Sequence, residues 1–186
     1  MATIQTYKIM KQLRYAILPT LFCWMPVEGS FAQQETANAY IKTYAPFAQK
    51  LSIETGIPTS VILGVAIIES GHGSSTNARL LNNHFGIVGP NNLEERKIAY
   101  KSVYKSYTSI EESYKHFCRV IGRKKYYSQI KGSNDYKLWL LKMNAYHYSS
   151  AGLIWVQKIQ HTIEIHRLYK YDVAPKPKSL WSCNHM

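Results

Sequence analysis

Glu69 is the residue best placed to do chemistry. It ends the stretch PTSVILGVAIIESGHG, Pro58 to Gly73, in which every residue from Val61 to Ile68 is apolar or glycine. No side of a helix with that composition could face water, so the segment is expected in the middle of a core. A Thr59 or Ser60 cap after Pro58 and a stop supplied by Gly71 and Gly73 make it a short buried helix with one carboxylate in its last turn. Burial disfavours the ionised form, and so does the negative end of the helix dipole. Both raise the pKa above the ~4.3 of a free glutamate. A carboxylic acid still protonated near neutral pH can hand its proton to a sugar oxygen as a glycosidic bond breaks. The competing reading is a glutamate satisfied by an arginine or by backbone groups.

The residues after Glu69 favour the first reading. Ser70, Gly71, Gly73, Ser75 and Ala78, then Asn82, Asn83, Phe85, Gly86 and Ile87, make two linked motifs, ESGHGSS with Ala78, and NNHFGI. With Glu69 they resemble the E-S-G-x-G-x-S-x-x-A and N-N-x-F-G-I signature of the bacterial cell-wall endo-β-N-acetylglucosaminidases, the FlgJ-like and autolysin-type enzymes of glycoside hydrolase family 73. The likeness runs from about Tyr40 to Asp172 and takes in YTSIEES at Tyr107–Ser113 and LYKYD at Leu168–Asp172.

That resemblance implies a mainly α (α+β), lysozyme-like helical domain with a small irregular β-lobe and a substrate cleft. It implies hydrolysis of peptidoglycan glycan strands at the β-1,4 bond between N-acetylglucosamine and N-acetylmuramic acid, with Glu69 as general acid and no cofactor. The family places a tyrosine in a Y-A-T-like turn before its last helix. Here AYHYSSAG offers Tyr148 for that role, with Tyr146 as the alternative and otherwise a substrate contact. Asn83, Phe85 and Ser70 are expected at the substrate: an amide for the acetamido group, an aromatic face for stacking, and the hydroxyl beside the acid. Phe85 is equally suited to fixing the loop from the core.

Glycosidases normally set a second carboxylate across the scissile bond, about 5 Å away for retention or roughly 6.5–9.5 Å for inversion. The resemblance puts it in the β-lobe, where Glu94 and Glu95 are the candidates. Without it, Glu69 would work with Tyr148 and the substrate's own acetamido group. Two other functions are open: a lytic transglycosylase on the same polymer, disfavoured by NNHFGI, and a catalytically silent peptidoglycan-binding component of an envelope machine.

The elements that must position these residues follow from periodicity. Tyr40, Ile41, Tyr44, Phe47, Ala48 and Leu51 recur at helical steps, interrupted by Pro46 and ended by Gly56. Ile98, Tyr100, Val103, Lys105 and Tyr107 hint at a period of two, the β-lobe. Thr108 or Ser109 caps a helix, with Glu112 completing a capping box and Tyr114, Phe117 and Ile121 inside. Asn134 or Asp135 starts another, with Tyr136, Trp139, Leu140 and Met143 inward. The last helix and its end turn Trp155, Ile159, Ile163 and Tyr169 to the core.

The chain has 186 residues and a formal charge of +12. Lys8, Lys11 and Arg14 precede an apolar run from Tyr15 to Val27 and the small residues of Ser30-Phe31-Ala32, so residues 1–32 read as a signal peptide cleaved after Ala32. The run holds Pro19 and Pro26 and falls short of the ~20 residues of a membrane span, so no stable transmembrane anchor is expected. Residues 33–172 are then the catalytic domain and 173–186 a Pro/Lys-rich tail. The exported chain stays basic, which suits the anionic cell wall, in the periplasm or outside the cell. No basic block or nucleic-acid motif accompanies that charge, so nucleic acid is excluded as a partner. A secretion or conjugation machinery of the envelope is a compatible one. Cys118 and Cys183 could pair in that compartment or stay apart. The scattered histidines lack metal-ligand spacing, so no metal is expected.

Overall fold

The computed structural model describes residues 28–172. The chain divides into two units, Met1–Phe31 and Ala32–Met186, and the fold below is that of the second. Most of the expected signal peptide, all of the tail and Cys183 lie outside the described residues.

Seven α-helices are present among those residues: α1 (Glu28–Thr55), α2 (Thr59–Ser70), α3 (Thr76–Leu81), α4 (Ile110–Gly122), α5 (Tyr127–Ile130), α6 (Tyr136–Ala145) and α7 (Gly152–Ile165), followed by a 3-10 turn, Leu168–Tyr171. The all-apolar segment is α2, and it lies at the centre. Every residue from Thr59 to Ile67 is buried, and the helix packs against α6, α7 and the 3-10 turn. Its crossing with α7 is close because Gly64 has no side chain. A Cβ there would stand 2.9 Å from Ile163 Cγ1 and 3.0 Å from Ile159 Cγ2.

α1 continues through Pro46, whose ring is exposed, and contributes Tyr40, Ile41, Ala45, Ala48 and Leu51 to the same core. Ser109 caps α4 by accepting the Glu112 N–H, and Asp135 caps α6 by accepting from Leu138. The cap of α2 differs from expectation. Neither Thr59 nor Ser60 closes that end from within. Asp172, 112 residues away, accepts the Ser60 N–H on Oδ1 and the Ser60 hydroxyl on Oδ2, both at 2.7 Å. An aspartate can do this because its two oxygens reach the unpaired donors of a helix start and its charge suits the positive end of the dipole. At the chain's end, Leu168 is the fully buried residue and Tyr169 is 44% exposed, the reverse of the expected register.

The β-lobe is slighter than period two suggests. One antiparallel bridge, Val88 to Tyr104, is flanked by Gly89 N–H to Val103 O at 3.0 Å and Lys105 N–H to Ile87 O at 2.9 Å. Asn91 replaces further ladder bonds by donating its amide to the carbonyls of Ser102 and Tyr104. The lobe is a side-chain-pinned loop pair, with Leu93 buried beneath it.

Candidate active site

Glu69 lies in the last turn of α2. Gly71 ends the helix in the left-handed region, φ 56°, and returns its N–H to the Ile67 carbonyl. The Glu69 carboxyl is largely but not wholly buried, and its two oxygens have different surroundings. Oε1 accepts the indole N–H of Trp155, from α7, at 2.7 Å. Oε2 lies beside Gly86, where a Cβ would come within 3.0 Å of it and within 3.9 Å of Tyr104 Cε1. Gly86 also has φ +63°, so both backbone conformation and space require glycine here. Burial raises the Glu69 pKa, and the Trp155 N–H, which favours the ionised form, opposes part of that rise.

The segment that covers Oε2 is held rigidly from below. Asn83 is 1% exposed and uses its whole amide on backbone. Its NH2 donates to the carbonyls of Ile87 (2.9 Å) and Lys105 (2.8 Å), while Oδ1 accepts from the N–H groups of Phe85 and Ile87. Phe85 is buried, stacked on Phe117 with centroids 4.3 Å apart and set edge-on to Tyr114. The Tyr148 hydroxyl donates to the Phe85 carbonyl at 2.9 Å, and the Tyr148 ring lies against that of Trp155. Burial and the nearby Glu69 charge hold the Tyr148 phenol well above its usual pKa.

Tyr148 therefore stands with Glu69. Asn83, expected at the sugar, is instead a fastening of the turn beside Glu69, and Phe85 takes the second of its two expected places, fixing that turn from the core. The amide has no donor or acceptor left, and the ring has no free face. Ser70 is likewise internal, donating to the Ala66 carbonyl at 2.6 Å and accepting the Gly73 N–H at 2.8 Å. Tyr146 is 41% exposed beside Tyr126 and remains available to a ligand. Glu94 and Glu95 are both exposed on the turn after Leu93. Sequence reasoning placed Trp155 only in the core. Its N–H on Glu69 is a contact across 86 residues that no local pattern announces.

A second polar centre adjoins the first. Tyr40 shares hydrogen bonds with His84 Nδ1 (2.7 Å) and with the Tyr114 hydroxyl (2.8 Å). Burial pushes the His84 pKa down to about 4, so the ring is neutral at physiological pH. An open cleft of about 510 Å³ lies over it, lined by Tyr40, Tyr44, His72, Arg79 and His84 among others. Among the described residues, no cluster of three His, Cys, Asp or Glu side chains could hold a metal ion. Cys118 is a free, buried thiol.

The Glu69 carboxyl thus sits at the end of a buried helix in a mainly helical domain, with one oxygen anchored by Trp155 and the other beside a glycine turn. Residues 45–168 match the Glucosaminidase family, described as mannosyl-glycoprotein endo-beta-N-acetylglucosaminidase, and the chain belongs to that family. The fold is similar to those of several solved structures, three of which follow. The catalytic domain of the autolysin Auto from Listeria monocytogenes has a TM-score of 0.60 and 18% identity, over 92% of this chain and 99% of that one. The glycoside hydrolase domain of FlgJ from Salmonella typhimurium has a TM-score of 0.54 and 15% identity, over 72% and 90%. A peptidoglycan hydrolase from Sphingomonas sp. A1 has a TM-score of 0.53 and 18% identity, over 76% and 99%. The search of curated proteins returned no match.

Proposed function

We propose that this glycoside hydrolase cleaves peptidoglycan at the β-1,4 bond between N-acetylglucosamine and N-acetylmuramic acid, with Glu69 as general acid. The observation that carries the reading is the Glu69 carboxyl itself, raised in pKa by burial, with no ion-pair partner among the described residues. Burial favours the protonated form of such a group, the form that gives its proton to the leaving oxygen as the C1–O bond breaks. The bonding pair leaves with that oxygen, and water supplies the new hydroxyl at C1. The polymer is suggested by the family and by the names of the structural neighbours, an autolysin and a peptidoglycan hydrolase among them.

The group opposite Glu69 comes from Glu94 or Glu95, or else from the substrate's acetamido oxygen, which would bond to C1 before water does. Tyr148, fixed beside Glu69, completes the catalytic set, and Tyr146 is the substrate contact. Residues 1–32 are the export signal, 33–172 the working domain and 173–186 the tail. The enzyme then acts in the periplasm or outside the cell, remodelling wall or opening it for an envelope apparatus. No helix among the described residues is long and apolar enough to cross a membrane.

Mass spectrometry of fragments released from purified peptidoglycan tests the proposal, with Glu69→Gln alongside. The expected product is new reducing-end N-acetylglucosamine, reduced about 10²–10⁴-fold in the variant. Anhydro-muramic ends would instead make the chain a lytic transglycosylase. Binding without release by either protein would leave only the wall-binding role.

A further inference from the structure

The two oxygens of Glu69 are chemically distinguished before substrate arrives. An indole N–H is a donor only, and it donates to Oε1. In a carboxylic acid the carbonyl oxygen is the better acceptor and the hydroxyl oxygen the donor, so the partner of an N–H is the carbonyl oxygen. Oε2 is the oxygen beside Gly86.

We propose that Trp155 is a positioning residue for the acid: its indole N–H fixes Oε1 as the carbonyl oxygen, so that the transferable proton is carried by Oε2, beside Gly86. The inference rests on Glu69 being the general acid. The two-fold rotation that would exchange the oxygens is blocked by one hydrogen bond, and the proton is held ready on one atom. Gly86 keeps space at that atom. When the proton has gone, the same N–H stabilises the carboxylate left behind.

The groups around the carboxyl leave this task to Trp155. The phenol of Tyr148 donates to the Phe85 carbonyl. No lysine, arginine or histidine pairs with Glu69 among the described residues. Trp155 itself is well placed to hold still. It is 4% exposed, on the buried face of α7, with its ring against Tyr148 at 5.3 Å.

The test replaces Trp155 in the full chain by β-(3-benzothienyl)alanine, which keeps the ring shape and puts sulfur where the N–H was, with Trp155→Phe as a second variant. Two quantities are read: the pH profile of peptidoglycan cleavage and the carbon-13 titration of the Glu69 carboxyl. Removing a donor from the ionised form raises the pKa. Both the alkaline limb and the carboxyl titration should therefore move up by about one pH unit. The kcat should fall about tenfold with KM little changed. Thermal unfolding identifies which variant is folded. A folded variant whose carboxyl titrates as in the parent overturns the proposal, whatever its rate. If the parent titrates as expected but releases no glycan, the general-acid reading falls, while the titration shift still decides whether Trp155 governs the carboxyl.

Discussion

Two titratable centres meet at the segment from Asn83 to Ile87, and they are built in opposite ways. In one, His84, Tyr40 and Tyr114 close on each other. The Tyr40 hydroxyl has one proton, so it donates to one neighbour and accepts from the other. In the other, Glu69 has one oxygen held by Trp155 and one beside the glycine turn. Burial pushes both groups toward their neutral forms, lowering the histidine pKa and raising that of the glutamate. One centre spends its polar groups on each other as scaffold, whereas the other leaves an oxygen of the proposed acid beside a glycine turn.

The contrast makes opposite demands on pH, and the largest expected effect is at His84. Its folded pKa, about 4, lies below the ordinary 6.5, so between those values the unfolded chain binds the extra proton. Stability should fall as pH drops through that window, by roughly 3 kcal/mol from this group. Urea unfolding at pH 7 and pH 4 should show that fall in the parent protein and lose most of it in His84→Gln.

Next comes Tyr40→Phe, which strips both hydrogen bonds from a buried cluster and should cost about 2 kcal/mol with cleavage retained. A loss of cleavage beyond the loss of folded protein would mean that the two centres are coupled. The smallest effect is at Glu69. Its folded pKa is raised, so the folded chain holds the proton longer and the fold weakens as pH rises above the unfolded value. Glu69→Gln should therefore gain stability relative to the parent as pH rises from 4 to 8, read as a growing difference in urea midpoint. The same substitution that removes activity would then strengthen the fold.

The buried helix that ends at Glu69 and the caps at Ser109 and Asp135 were legible in the sequence because each depends on neighbours. Nine consecutive buried residues, the Gly71 stop, and Ser109 and Asp135 at helix starts are all short-range signals. The motif NNHFGI marked the right segment but not the direction of its side chains. An asparagine reads the same whether its amide meets a sugar or four backbone groups, and only the fold shows that Asn83 does the latter. Trp155 on Glu69 and Asp172 on Ser60 were hidden for another reason. Each joins points roughly a hundred residues apart, at positions whose own surroundings read as core and as chain end. The β-lobe is small and irregular, as expected, because Asn91 holds the carbonyls of Ser102 and Tyr104 and a single bridge stands in place of a ladder.

The Asp172 clasp has a temporal consequence. The helix that carries Glu69 is made early in synthesis, but the carboxylate that closes its first turn comes from the last described residue of the chain. A growing chain cannot close the first turn of that helix in this way until Asp172 has been made, so a segment formed early waits more than a hundred residues for its clasp.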